Sequence, residues 1–131
     1  MAKPTTNEYG DLVFGREAYL RPQWLKALLS GKLGAGDTFW VGNVGIALIY
    51  MPALIFFAIF LPLIAGATAG AGAADVTSHW VSIAGRFILF CYLITLAFAL
   101  FKSTRRRTDL GVLGWLGVAL TLLHAWGAWY I

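Results

Sequence analysis

The chain has 131 residues, of which 60% are hydrophobic and only 12% are charged, and its formal net charge is +4. A soluble domain carries roughly a quarter charged residues, so this composition argues against a soluble globular protein. The cations flank apolar runs and do not form a folded basic face, which argues against nucleic-acid binding.

The N-terminal segment, residues 1–37, is polar, and we assign it to the cytoplasm. Within it, residues 22–30 are predicted to form a short amphipathic helix, because Pro22 suits a first helical position and Gly31 suits the position after the end. Trp24 shares one face with three leucines, and cations flank the helix, as is typical of helices in the membrane interface. We therefore expect Trp24 to contact lipid; packing on a partner protein is the alternative.

Three apolar runs follow, over residues 38–65, 80–101 and 110–131. A bilayer core of ~30 Å is crossed by ~20 apolar residues, and each run is at least that long. Because lipid offers the backbone no hydrogen-bond partners, each run is predicted to be a transmembrane helix. The predicted fold class is therefore all-α: an integral membrane protein with three transmembrane helices and a short N-terminal amphipathic interfacial helix.

Two prolines and a Gly/Ala-rich stretch set the predicted boundaries of the first span. Pro52 lies near the middle of the run and predicts a kink, since proline removes one helical hydrogen bond and crowds the preceding turn. Pro62 is expected to mark the far end of the span. Residues 66–74 read GATAGAGAA, and we expect a loose connector there.

Small residues form two faces on which another helix can approach closely. The glycines concerned lie near the start of the first span and in the first half of the third: Gly42, Gly45, Gly111, Gly114 and Gly117. Asn43 lies beside the first face. Its amide is expected to form a helix–helix hydrogen bond, with a ligand contact as the alternative. We expect these faces to contact other transmembrane subunits.

The distribution of cations predicts the orientation. Five Lys or Arg residues precede the first span, none lies in residues 66–79, and four lie in residues 102–109, among them Arg105, Arg106 and Arg107. The positive-inside rule then places the N-terminus and the arginine-rich loop in the cytoplasm, with the arginines near lipid headgroups. The C-terminus is predicted to be periplasmic.

Two ionisable residues, Arg86 and His124, lie inside predicted spans, where charges are costly and usually have a partner or a role. Arg86 is expected to extend to outer headgroups near Asp75, to contact another subunit, or to serve a substrate or proton path. His124 suits a structural hydrogen bond, an axial bond to haem or chlorophyll, or a proton relay. His79 is a poor second axial ligand because it lies at the membrane edge.

Catalytic patterns are absent from the sequence. No carboxylate lies within a predicted span, and no HExxH, CxxC or GxSxG motif occurs. No catalytic residue and no metal site is therefore predicted, and we do not expect an enzyme.

The stretch from Gly36 to Gly45, GDTFWVGNVG, resembles the start of the first span in many small uncharacterised bacterial inner-membrane proteins. Those proteins also join a polar N-terminal stretch to a Phe-Trp pair at the membrane. The resemblance implies a bacterial inner membrane and assigns no functional residues.

These features favour a non-catalytic accessory or assembly subunit of a larger bacterial membrane complex, such as a respiratory or photosynthetic one. Its expected partners are membrane lipid and other transmembrane subunits. A homo-oligomeric channel or small transporter, with Asn43, Arg86 and His124 facing a pore, is one alternative. A haem- or pigment-binding subunit, with His124 as the ligand, is another.

Overall fold

The structure is a computed structural model that describes residues 3–130. Three helical segments are long and apolar enough to cross a membrane: Ala35–Ala69, Ala71–Arg106 and Gly111–Tyr130. This confirms the all-α fold with three helices of membrane-spanning length, as in a multi-pass membrane protein. Ile131, at the predicted end of the third span, and Met1 and Ala2, at the start of the N-terminal segment, lie outside the described residues.

Short elements precede the spans. They are the antiparallel strands β1 (Thr5–Thr6) and β2 (Leu12–Val13), a 3-10 turn at Arg16–Ala18, and helix α1 (Pro22–Leu29). The first span comprises α2 (Ala35–Phe39), a π-helical turn (Trp40–Gly45) and α3 (Ile46–Ala69). The second span is α4 (Ala71–Arg106); a 3-10 turn at Thr108–Leu110 leads to α5 (Gly111–Tyr130).

The Gly/Ala-rich stretch is not a loose connector, contrary to the prediction. Helix α3 continues through Pro62 to Ala69, and α4 begins at Ala71, so Gly70 alone separates them. Alanine has the highest helix propensity, which favours helix on both sides of the turn. Gly70 has φ 90° and ψ 172°, a conformation that is accessible essentially to glycine alone.

Helix α4 is the centre of the membrane domain and packs against both α3 and α5. At 36 residues it is about 54 Å long, which exceeds the ~30 Å bilayer core, so its ends project beyond the hydrocarbon. Helix α4 contributes more buried residues than either of the other two spans, among them Leu93, Leu96 and Leu100. None of the residues of α3 is buried.

Helix α1 forms where the sequence predicts it, with Pro22 in its first turn and Gly31 at φ 72° after its end. Its apolar face, however, is covered by the chain itself. Trp24 is 1% exposed and Leu28 is 0% exposed, in one cluster with Leu96. Contrary to the prediction, Trp24 therefore does not contact lipid, because the C-terminal half of α4 offers it an apolar surface to pack on.

Candidate intramembrane binding site

The first span begins irregularly, with the π-helical turn at Trp40–Gly45. In a π turn each N–H bonds to the carbonyl five residues back, and such turns are frequent at functional sites. Gly42 and Asn43 are the buried residues of this turn. The amide of Asn43 consequently lies between helices, at a depth where lipid supplies no hydrogen-bond partners.

Asn43 bonds to α5. Its Nδ2 donates to Oγ1 of Thr121 over 3.0 Å, and the Thr121 hydroxyl donates to the carbonyl of Gly117 over 2.9 Å. Both side chains are buried, Asn43 at 7% exposure and Thr121 at 0%. The predicted helix–helix hydrogen bond of Asn43 is confirmed, and its partner belongs to the same chain.

The oxygen of the Asn43 amide has no hydrogen-bond partner in the described part of the chain. No donor among residues 3–130 lies within hydrogen-bond distance of Asn43 Oδ1, although the atom is buried. A buried acceptor without a hydrogen bond costs roughly 1–3 kcal/mol. Native structures contain few such atoms, and each one calls for an explanation such as strain or a bound group.

A cavity of about 230 Å³ lies beside Asn43, where α3, α4 and α5 meet. Its walls are mainly aliphatic side chains such as Ile46, Leu89 and Leu93. Four larger polar side chains also line the cavity: Asn43, Tyr50, Tyr92 and His124. We call this space the Asn43 cavity.

Both tyrosines are fixed by hydrogen bonds to backbone carbonyls. The Tyr92 hydroxyl donates to the Gly42 carbonyl over 2.7 Å, and the Tyr50 hydroxyl donates to the carbonyl of Gly85. These two bonds join α3 and its π turn to α4. Because each hydroxyl hydrogen is used in this way, the phenolic oxygens keep only their acceptor capacity for a further partner.

His124 lines the cavity and is otherwise exposed on α5. It forms no hydrogen bond to any residue in the range 3–130, so the predicted structural bond to a neighbouring helix is not found. The cavity is too small for the four pyrrole rings of haem or chlorophyll. A macrocycle bound by His124 would have to lie on the outer face of α5. His79 lies in the N-terminal part of α4, next to Trp80.

Arg86 lies on α4 and is exposed. It lines a second groove, which shares Met51, Leu89 and Ala128 with the Asn43 cavity. Within the described part of the chain, no acidic side chain forms a salt bridge with Arg86. Asp75 lies eleven residues earlier on the same helix, about 16 Å along its axis, and is too far away to pair with it.

The glycine faces serve packing within the chain. A Cβ atom at Gly42 would lie 2.5 Å from Leu96, and one at Gly114 would lie 2.4 Å from Thr104. Gly42 and Gly114 are thus not available to another subunit, contrary to the prediction, because α4 occupies both faces. Gly117 approaches Leu100 at 3.2 Å in the same way.

Two further glycines of these faces have other surroundings. A Cβ atom at Gly45 would meet only Val41, one turn earlier in the same span, at 3.2 Å. Gly111 begins α5 with φ 48°, and nothing lies within 4 Å of its Cβ position. Neither glycine forms a close contact with another helix of the chain.

A polar cluster that the sequence did not predict lies at the C-terminal end of α4. Asp11 is 1% exposed and accepts hydrogen bonds from Nη2 and Nε of Arg106, at 2.7 and 3.2 Å. Arg106 also donates to the carbonyl of Leu33, to which the Ser103 hydroxyl donates over 2.8 Å. The cluster fastens the N-terminal segment to α4. The signals in the sequence were an Asp in the polar segment and a basic run far along the chain.

The neighbouring arginines have local partners. Arg107 forms a salt bridge with Asp109 at 3.1 Å and lies over the Tyr9 ring at 4.5 Å. The hydrogen bond with Asp109 raises the pKa of the Arg107 guanidinium above its ordinary value. Arg105 is exposed and lies near the Phe101 ring, 5.7 Å from its centroid. Contact of these arginines with headgroups stays a prediction.

Residues 3–130 contain no group of three or more His, Cys, Asp or Glu side chains that could hold a metal ion. Comparisons of the chain with protein-family models, curated proteins and solved structures found no match. Functional inference consequently rests on the geometry of the cavity, the groove and the exposed helix faces.

Proposed function

We propose that this chain is a non-catalytic accessory or assembly subunit of a larger protein complex in a bacterial inner membrane, with its N-terminus in the cytoplasm. We propose a respiratory or a photosynthetic complex. The observation that carries the proposal is the exposed guanidinium of Arg86 within a span.

The depth of Arg86 makes a partner favourable. If Lys102 marks the inner boundary of the hydrocarbon, Arg86 lies sixteen residues, or about 24 Å, further along α4. In a core of ~30 Å it is then ~6 Å inside the outer boundary. An unpaired cation is costly at that depth, and a carboxylate on a neighbouring subunit would relieve the cost.

Helix α3 offers the surface for such a subunit. Its side chains are apolar on all sides, none is buried, and α4 is the long helix against which it packs. Met51 and Ala58 are exposed and line the same groove as Arg86. A helix that carries a carboxylate and packs along this groove would cover the apolar surface of α3 and, at the same time, form an ion pair with the Arg86 guanidinium.

Native membranes solubilised in a mild detergent test the proposal. We expect the tagged chain to migrate on a native gel with a different membrane protein in fixed stoichiometry. Arg86→Gln should weaken this association about tenfold, or ~1.4 kcal/mol, because it removes the charge but keeps a polar side chain. Arg86→Lys should largely restore it.

The matched control is Arg105→Gln, which removes an exposed cation from the cytoplasmic loop and should leave the complex intact. A wild-type chain that purifies as a monomer, or only with copies of itself, would contradict the proposal. Equal binding by Arg86→Gln and wild type would remove Arg86 from the contact and indicate that it faces lipid headgroups.

A homo-oligomeric channel or small transporter is the second hypothesis, favoured by the three lining residues that the groove beside Arg86 shares with the Asn43 cavity. A symmetric oligomer, with solute flux into vesicles that Arg86→Ala abolishes, would favour it over the accessory role. Unchanged flux in that variant would remove Arg86 from the path.

Haem or chlorophyll binding through His124 is the third hypothesis. It requires a visible absorption band in the purified protein, with the macrocycle on the exposed side of α5. The band should disappear in His124→Ala, and a band that persists would exclude His124 as the ligand.

A further inference from the structure

We infer that the Asn43 cavity binds a membrane-soluble molecule that carries a hydroxyl group, an alcohol or a phenol, and that this hydroxyl donates to Asn43 Oδ1. The inference does not depend on the accessory role, because it concerns a cavity formed by one chain. It rests on the direction of the Asn43 amide, on the polar groups of the lining and on the size of the cavity.

The hydrogen bonds of Thr121 fix the direction of the Asn43 amide. Because the Thr121 hydroxyl uses its hydrogen on the Gly117 carbonyl, its oxygen is an acceptor toward Asn43. The Asn43 nitrogen must therefore face Thr121, and the oxygen faces away from it. What Oδ1 lacks is a donor, which a hydroxyl supplies and a carbonyl does not.

The tyrosines on the lining are also acceptors. Tyr50 and Tyr92 have committed their hydrogens to backbone carbonyls. His124 adds one acceptor nitrogen when its ring is neutral. A ligand with hydroxyl hydrogens therefore matches this lining better than a ligand with carbonyl oxygens.

The size and surroundings of the cavity limit the ligand. A dry cavity of ~150 Å³ in another protein takes up benzene, so about 230 Å³ admits a single substituted ring or a short chain segment. The aliphatic walls favour an apolar body. The exposed positions of Met51 and His124 at its edge would let such a molecule enter from the bilayer.

Binding is measured with the full chain in phosphatidylcholine nanodiscs, whose lipids carry no free hydroxyl. The first probe pair is a decyl-substituted benzoquinol and the corresponding benzoquinone, which differ in their hydroxyl hydrogens. The second pair is monoolein and its dimethyl ether, which represent an aliphatic source. We expect the hydroxyl member of at least one pair to bind about tenfold more tightly than its partner, as loss of a hydrogen bond to a buried group predicts.

Variants identify the site. Gly127→Leu should fill the cavity and abolish binding, since Gly127 lines it and nothing lies within 4 Å of its Cβ position. Gly72→Leu is the matched control, because its Cβ position is equally open and it lies outside the lining. It should bind as wild type does.

Asn43→Ala removes the acceptor and the bond to Thr121, whereas Thr121→Val removes that bond and the Thr121–Gly117 bond but keeps the acceptor. We expect both variants to lose similar stability, and only Asn43→Ala to lose the preference for the hydroxyl probe. Quinol selectivity would identify a phenolic ligand, and monoolein selectivity an aliphatic one. Equal binding of both members of each pair, no binding at all, or binding unaffected by Gly127→Leu would overturn the inference.

Discussion

At the scale of single residues, Asp11 has the most buried carboxylate of the described chain. Its charge is balanced by Arg106, which is 95 residues away in sequence, and the Asn7 side chain accepts from the backbone N–H of Asp11. Removal of one member of a buried pair is strongly destabilising because the other charge stays behind without compensation. Asp11 thus connects the order of the N-terminal segment to the stability of the C-terminal end of α4.

Asp11→Asn should therefore destabilise the protein. We expect a loss of about 2 kcal/mol in the free energy of unfolding, which is below the value for a fully buried pair because Arg106 is partly exposed. Thermal unfolding in detergent measures the loss, and faster trypsin cleavage after Arg16 would report release of the segment. Asp109→Asn, in the exposed pair with Arg107, is the control and should change stability by less than ~1 kcal/mol. Equal effects of the two variants would contradict this role of Asp11.

At the scale of elements, glycines set how closely α5 approaches α4. Gly114 is buried against the Thr104 side chain, and Gly117 approaches Leu100 and Phe39. In lipid no hydrophobic effect drives helices together, so van der Waals contact at short separation supplies much of the association energy. A methyl group at the tightest contact should force the two helices apart.

Gly114→Ala and Gly127→Ala make a matched pair on α5. The first places a Cβ atom 2.4 Å from Thr104, and the second places one in open space. We expect Gly114→Ala to destabilise by about 1–3 kcal/mol, as overpacking does, and Gly127→Ala to be neutral or slightly stabilising because alanine favours helix. Unfolding of both variants in the same detergent checks this. A Gly114→Ala protein as stable as wild type would show that the packing at this crossing is loose.

At the scale of the whole molecule, the three spans pack side by side with α4 between α3 and α5. The C-terminal end of α4 is joined to the folded N-terminal segment, while the single-glycine turn at Gly70 joins its N-terminal end to α3. The cations gather at the first of these ends. The positive-inside rule predicts that this end lies in the cytoplasm.

Cysteine labelling tests the orientation in a Cys91→Ala background, which removes the one native thiol. A membrane-impermeant maleimide should react with Gly72→Cys in intact cells and with Lys32→Cys only after permeabilisation, since one span separates the two positions. Both residues are exposed, so a lack of labelling would not reflect burial. The reverse pattern would invert the orientation, and reaction of both in intact cells would contradict a crossing between them.

The sequence by itself determined the number of helices of membrane-spanning length, the presence of a helix within residues 22–30 and the hydrogen bond of Asn43 across a helix interface. Each follows from local rules: a run of apolar residues must hydrogen-bond its own backbone in lipid, Pro22 and Gly31 delimit a helix, and a buried amide needs a partner. The prediction of a loose connector at residues 66–74 was wrong, because the high helix propensity of alanine favours helix on both sides of Gly70.

Only the tertiary structure decided what each surface faces. In spans that are apolar on all sides, the pattern does not say whether a glycine or a leucine meets lipid, another helix of the chain or a partner. For this reason Gly42 and Gly114 proved to contact α4, and Trp24 proved to be buried. The pairing of Asp11 with Arg106 and the cavity beside Asn43 likewise depend on how three helices are rotated against one another, which no short stretch of sequence specifies.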